Sequence, residues 1–191
     1  MVPPPKRKPT RMREYDYSRS GWYFLTLCTK NRIEWFGDVT DGKMILNEYG
    51  RVAEEQWLWL ARQYDHVKLD EFVIMPNHIH AILVIADEGA RRDNPGVVPT
   101  GYSRRHNLLS KSVNAFKTTT SKLIHQHGLS EFVWERSFYD HIIRKDESLR
   151  SIREYIANNP IRWHLDRDNP ENLLMPVTRR HVVEMPSRPS R

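Results

Sequence analysis

Cysteine is almost missing from this chain: Cys28 is the only one in 191 residues. That excludes an internal disulfide and any multi-cysteine zinc site, and it fits a reducing cytoplasm. Long apolar runs are missing too, and with a mean hydropathy of −0.70 no membrane-spanning helix is expected. The opening residues, MVPPPKRKPT, carry charge without an apolar core, so no secretory signal is expected. No internal repeat is found. What is present is an ordinary globular composition, 39% hydrophobic and 28% charged. A chain of this length can bury about 70% of its unfolded surface, so one domain with tails is expected to fold without covalent staples.

Charge is biased toward base, with a net +6 when the nine histidines are counted neutral. Lys6, Arg7, Lys8, Arg11 and Arg13 crowd one end, and Arg179, Arg180, Arg188 and Arg191 the other. Basic, Pro-containing tails suit a polyanion, because neutralising phosphates releases counterions. The plainer reading is that they aid solubility. The expected organisation is a basic tail over 1–20, a folded domain over 21–163, and a second basic tail over 164–191.

Hydrophobic periodicity places the elements. Residues 21–29 (GWYFLTLCT) alternate as a buried strand. Residues 47–64 carry Ala53, Trp57, Leu60 and Tyr64 at helical offsets. Residues 66–75 and 78–86 are apolar runs split by Pro76-Asn77, which predicts an antiparallel hairpin. Residues 87–106 have no period and predict a loop. Leu109, Val113, Phe116, Thr120 and Leu123 predict a second helix, residues 138–144 a fourth strand, and residues 148–159 a third helix stopped by Pro160. From Ile161 onward an irregular tail is expected. The order β-α-β-β-α-β-α predicts an α+β, ferredoxin-like (split βαβ) antiparallel sheet with helices on one face and one extra C-terminal helix.

His78-Ile79-His80 carries the chemistry. Strand residues two apart share a face at roughly 6.5 to 7 Å, so both imidazoles can converge on one cation while Ile79 enters the opposite layer. His125-Gln126-His127 has the same spacing, but on a helix its side chains diverge by roughly 160° and cannot share an ion. Near the third helix's end, Tyr155 and Asn159 are four apart and share a face. Two readings are open from this pattern. In one, a core tyrosine is followed by a helix-capping asparagine. In the other, a nucleophile stands beside an oxygen ligand.

The strings FVIMPNHIHAILVI (72–85) and VWERSFYDHIIRKDESLRSIREYIANNPIRW (133–163) resemble the single-tyrosine HUH transposases, and more closely the REP-associated tyrosine transposases of bacteria. The resemblance covers about 21–163. It implies a metal-dependent single-stranded DNA endonuclease and strand transferase working through a 5′-phosphotyrosine. Tyr155 falls on the family's nucleophile, His78 and His80 on its metal-binding pair, and Asn159 where insertion-sequence members place a glutamine ligand. The implied cofactor is a divalent ion, Mg²⁺ or Mn²⁺. The implied partners are single-stranded hairpins of REP-like palindromes, bound by a monomer or homodimer at the nucleoid. Lys6, Arg7, Lys8 and Arg11 in the tail, and Lys111, Lys117 and Lys122 on the second helix, are the expected phosphate contacts, with Trp22, Trp134 and Tyr139 as candidate base-stacking residues. The plainer readings are a solvated helix face for the lysines and core positions for the tryptophans. A non-catalytic hairpin binder, a relaxase-like nuclease and a water-using metal hydrolase are the competing readings.

Overall fold

The structure is a computed structural model and describes residues 20–86 and 108–173. The basic tail residues Lys6, Arg7, Lys8 and Arg11 and the loop expected at 87–106 lie outside them. Among the described residues no helix is long and apolar enough to cross a membrane.

Strand β1 is Gly21–Cys28, followed by the short strands β2 (Gly37–Thr40) and β3 (Lys43–Leu46), helix α1 (Glu48–Gln63), β4 (Val67–Ile74) and β5 (His78–Ile85). Helix α2 (Leu108–Gln126), β6 (Tyr139–Ile143), α3 (Asp146–Ala157) and the short α4 (Pro170–Leu173) complete the chain. Four strands form one sheet in the order β4-β5-β1-β6, with every neighbouring pair antiparallel. This is the α+β split-βαβ arrangement expected from the sequence.

Alternation along β1 and β5 divides the side chains between two layers. Tyr23, Leu25 and Leu27 of β1 and Ile79, Ala81 and Leu83 of β5 pack with Trp57 and Leu60 of α1 and Val113 and Phe116 of α2. On the opposite face Phe24 and Ile82 meet Ile143 of β6 and Ile152 and Ile156 of α3. Helix α3 thus covers the face that α1 and α2 leave open. Each large side chain buried in these layers contributes about 1.5–3 kcal/mol.

The β2–β3 hairpin was not expected. Its turn, Asp41-Gly42, has φ of 50° and 71°; positive φ at both central residues defines the turn that Asp-Gly favours. Helix α1 starts where Asn47 accepts a hydrogen bond from the Gly50 N–H (2.9 Å), an N-cap.

The tail expected from residue 164 starts as packed structure. A 3-10 helix, Pro160–Leu165, leads into a segment where Asp166, Asp168 and Asn169 are all buried. Its order comes from tertiary hydrogen bonds, which leave no periodic trace in sequence.

Candidate active site

The register sets the site. His78 pairs with Cys28 and His80 with Thr26, so both imidazoles stand on the α3 face at one end of the sheet. Their ring centroids are 4.4 Å apart, and both residues are almost wholly buried. Ile79 enters the opposite core, as strand parity requires.

Hydrogen bonds fix which nitrogen of each ring is free. The Asn77 amide donates through Nδ2 to the carbonyls of Arg32 (2.9 Å) and Asp168 (2.8 Å). Its Oδ1 is therefore an acceptor, 2.9 Å from His78 Nδ1, and the proton of His78 sits on Nδ1. His78 Nε2 is left buried without a partner. The same tautomer in His80 lets Nδ1 donate to Thr26 Oγ1 (3.0 Å) and leaves Nε2 to accept from the Tyr155 hydroxyl at 3.2 Å.

Tyr155 reaches this position from α3, whose Ile152 and Ile156 anchor the helix on the sheet. Its ring packs edge-on to Phe24 at 6.0 Å. Asn159 follows one turn later, outside the regular helix, and is buried. Its Nδ2 donates to Asp166 Oδ2 (3.2 Å), while its Oδ1 is buried and unpartnered. The second oxygen of Asp166 accepts the Asp168 N–H at 2.7 Å. Asp168 in turn accepts from Arg32 Nε at 2.8 Å, and Trp163 covers His78 with ring centroids 5.8 Å apart.

The electrostatics follow from burial. His78 is pushed down to about 4 by loss of solvent, against the opposing pull of Asp168. His80 is pushed down by burial and then by His78. Both rings are neutral near pH 7, the state in which imidazole binds a cation. Burial raises the Tyr155 phenol above its ordinary value, Asp166 adds to the rise, and the Asn159 side chain opposes it. Burial and Asp168 push the Cys28 thiol up to about 12, so it is unreactive.

The donor set fits a divalent cation. One ligand atom each from His78, His80 and Asp166 lies within 4.8 Å of the others, and the orphaned His78 Nε2 and Asn159 Oδ1 are buried. Buried polar atoms without partners call for an explanation of this kind. Sequence reading passed over Asp166 and Asn77. Asn77 sits inside the PNHIH string and was read only as a turn residue, whereas Asp166 lies in a proline- and charge-rich stretch with no period.

The lysines of α2 stand elsewhere, across the sheet from Tyr155. Lys111 and Lys122 are exposed. Lys117 is drawn inward: its Nζ donates to the carbonyls of Glu135 (2.8 Å) and Ser137 (3.3 Å), and burial pushes it down to about 8. Lys117, Lys122, His125, Trp134 and Arg136 line a surface cleft of about 700 Å³. Trp134 is not free to stack a base, because it is buried against Phe36, Phe116 and Phe132. Trp22 and Tyr139 are half-buried around Phe24.

No protein-family model matches the chain. An "Uncharacterized protein" of Haemophilus influenzae (strain Rd) is 33% identical over 165 residues, spanning 84% of this chain and 92% of that protein. A second protein of the same strain, named "Putative REP-associated tyrosine transposase", is 26% identical over 153 residues, 77% of this chain and 74% of its own length. The solved structure of a REP-associated tyrosine transposase bound to a REP hairpin superposes with a TM-score of 0.55 at 19% identity, covering 80% of this chain and 73% of that one. At that identity the superposition shows a shared fold.

Proposed function

Because this chain belongs to the REP-associated tyrosine transposase family, we propose that it cuts and rejoins single-stranded DNA at REP-type hairpins through a 5′-phosphotyrosine. The observation that carries the reading is the Tyr155 hydroxyl, 3.2 Å from Nε2 of a buried histidine in a pair suited to a metal. A divalent ion, Mg²⁺ or Mn²⁺, held by His78, His80 and Asn159, would offset negative charge at a scissile phosphate.

The chain's own residues do the rest. Tyr155 attacks phosphorus in line, its oxygen forms the new P–O bond, and the bond to the 3′ oxygen breaks. The phenolic proton leaves to solvent or base, and the departing 3′ oxygen takes up a proton as a hydroxyl. The 5′ end stays on Tyr155 as a phosphodiester, so a second 3′-hydroxyl can reverse the step and join strands without ATP. Phe24 and Ile156 hold the tyrosine helix against the sheet, and Trp163 shields His78 from water. Basic residues of the tail, Lys6, Arg7, Lys8 and Arg11, with Lys111 and Lys122 of α2, contact phosphates; Lys117 contributes charge while its ammonium is held by carbonyls.

The test is incubation with end-labelled hairpin DNA and Mn²⁺ or Mg²⁺, followed by a denaturing gel. A protein–DNA adduct is expected, absent in Tyr155→Phe. Cleavage without adduct would indicate a water-using hydrolase. Binding without cleavage would indicate a hairpin-binding protein on this scaffold.

A further inference from the structure

Resting on that reading, we propose that Asp166 is itself a ligand of the divalent ion, a carboxylate carried to the histidine pair by the segment that follows the tyrosine helix. Its oxygens and the two imidazoles already lie close enough to share one cation, with ligand atoms within 4.8 Å of one another. Charge accounting points the same way. The two buried acids of this segment are treated differently: Asp168 is answered by Arg32 at 2.8 Å, whereas among the described residues Asp166 has no ion-pair partner. Its hydrogen bonds come from an amide and a backbone N–H, and its neighbours His78, His80 and Tyr155 are neutral. A carboxylate that is 6% exposed and lacks a direct ion pair is costly; the nearby Arg167 pairs instead with Asp168 at 3.8 Å. A cation between Asp166 and the histidines would remove that cost. Two accepted hydrogen bonds still leave each carboxylate oxygen a lone pair for an ion.

The position is built. The Asp166 carbonyl accepts from Asn172 Nδ2 (2.7 Å), the Asp168 carbonyl accepts from Asn77, and Asp168 is tied to Arg32. The ligand is therefore fixed before any ion arrives. Asn159 contributes from the same segment: its Nδ2 donates to Asp166, and its Oδ1 is buried and unpartnered, so it would be available to an ion. Two imidazoles alone favour softer ions, while added carboxylate and amide oxygens shift preference toward Mn²⁺ and Mg²⁺.

The test measures ion binding by the metal-stripped full chain, following the free Mn²⁺ paramagnetic resonance signal without DNA. Wild type should bind Mn²⁺, His78→Ala should lose binding, and Asp166→Asn should bind at least about tenfold more weakly, the floor set by what even outer partners of metal ligands cost. If wild type binds no ion, the metal reading of the whole site fails. If His78→Ala loses the ion while Asp166→Asn keeps full affinity, only the Asp166 assignment fails. Should Asp166→Asn not fold by circular dichroism, infrared spectra of wild type with ¹³C-labelled aspartate carboxylates decide. A shifted carboxylate band on Mn²⁺ addition supports the assignment, and an unchanged spectrum overturns it.

Discussion

His80 Nε2 has one lone pair, and in this structure the Tyr155 hydroxyl takes it at 3.2 Å. The same atom cannot serve a phenol and an ion together, so an ion bound there as proposed would release the tyrosine oxygen. The pair also makes stability depend on pH. His78 has an ordinary value of 6.5 and a folded value near 4, so between these limits the unfolded chain binds more protons than the folded one. Stability is then complete above about pH 6.5 and falls as pH drops toward 4, by an amount on the order of 3 kcal/mol from His78. Thermal unfolding in chelator across pH 4–7 should show the decline, and His78→Asn should flatten it. Parallel curves for the two proteins would contradict this. At this scale HIH was readable because a strand has a period of two and needs nothing but parity. Asp166 was not, since its burial depends on Asn159 and on the Asp168 backbone, which no local pattern announces.

Among the elements, α3 positions the chemistry, and β4 is shaped to receive it. The register of β4 against β5 shifts between Leu69 and Phe72, leaving one extra residue, a bulge. Parity flips across it: Val67 and Leu69 face the α1–α2 core before the bulge, Phe72 and Ile74 after it. The bulge presents Asp70 to Arg153 of α3 in a two-pronged ion pair, both contacts at 2.7 Å, which holds Asp70 below the usual carboxylate range. Arg153 is largely exposed, so the pair aligns the helix more than it stabilises it. The apolar anchor is stronger. Ile156→Ala should cost about 2–5 kcal/mol in urea unfolding and slow adduct formation by loosening Tyr155; a loss under 1 kcal/mol would show that α3 is held elsewhere. The helical stripe of α3 was legible in Leu149, Ile152 and Ile156, and so was the strand–turn–strand around Pro76-Asn77. The β2–β3 hairpin carried a readable Asp-Gly signal, but its strands are only four residues each and sit apart from the main sheet, giving little period to detect.

For the whole molecule, one sheet separates two tasks. The α1–α2 face supplies the larger core, and the α3 face carries the histidines, Tyr155 and Asp166. The order of elements was legible because each core strand and helix repeats its own period, whereas the roles of Lys117 and Trp134 were not. Sequence left each with two readings, and tertiary packing decides: Lys117 is drawn to the Glu135 and Ser137 carbonyls, and Trp134 is buried against Phe36, Phe116 and Phe132. On the proposed function, basic residues outside the described ones should contribute to DNA binding. Deleting residues 1–13 removes five basic side chains, and it should weaken hairpin affinity and flatten its dependence on salt, with the logarithmic slope falling by up to about 0.9 per lost phosphate contact. Fluorescence anisotropy across a salt series would show this, and an unchanged slope would rule out the tail as a DNA arm.

The Arg32–Asp168 pair joins positions 136 apart in the chain, and Asp166 beside it is held by Asn159, the Asp168 N–H and Asn172. A ribosome must therefore deliver nearly the entire domain before the chamber exists. A chain that ends before α3 has the two histidines but neither the tyrosine nor the acid. On the proposed function, synthesis itself thus acts as a safety catch: the full cluster of histidines, tyrosine and acid forms only once the chain has been made past residue 168.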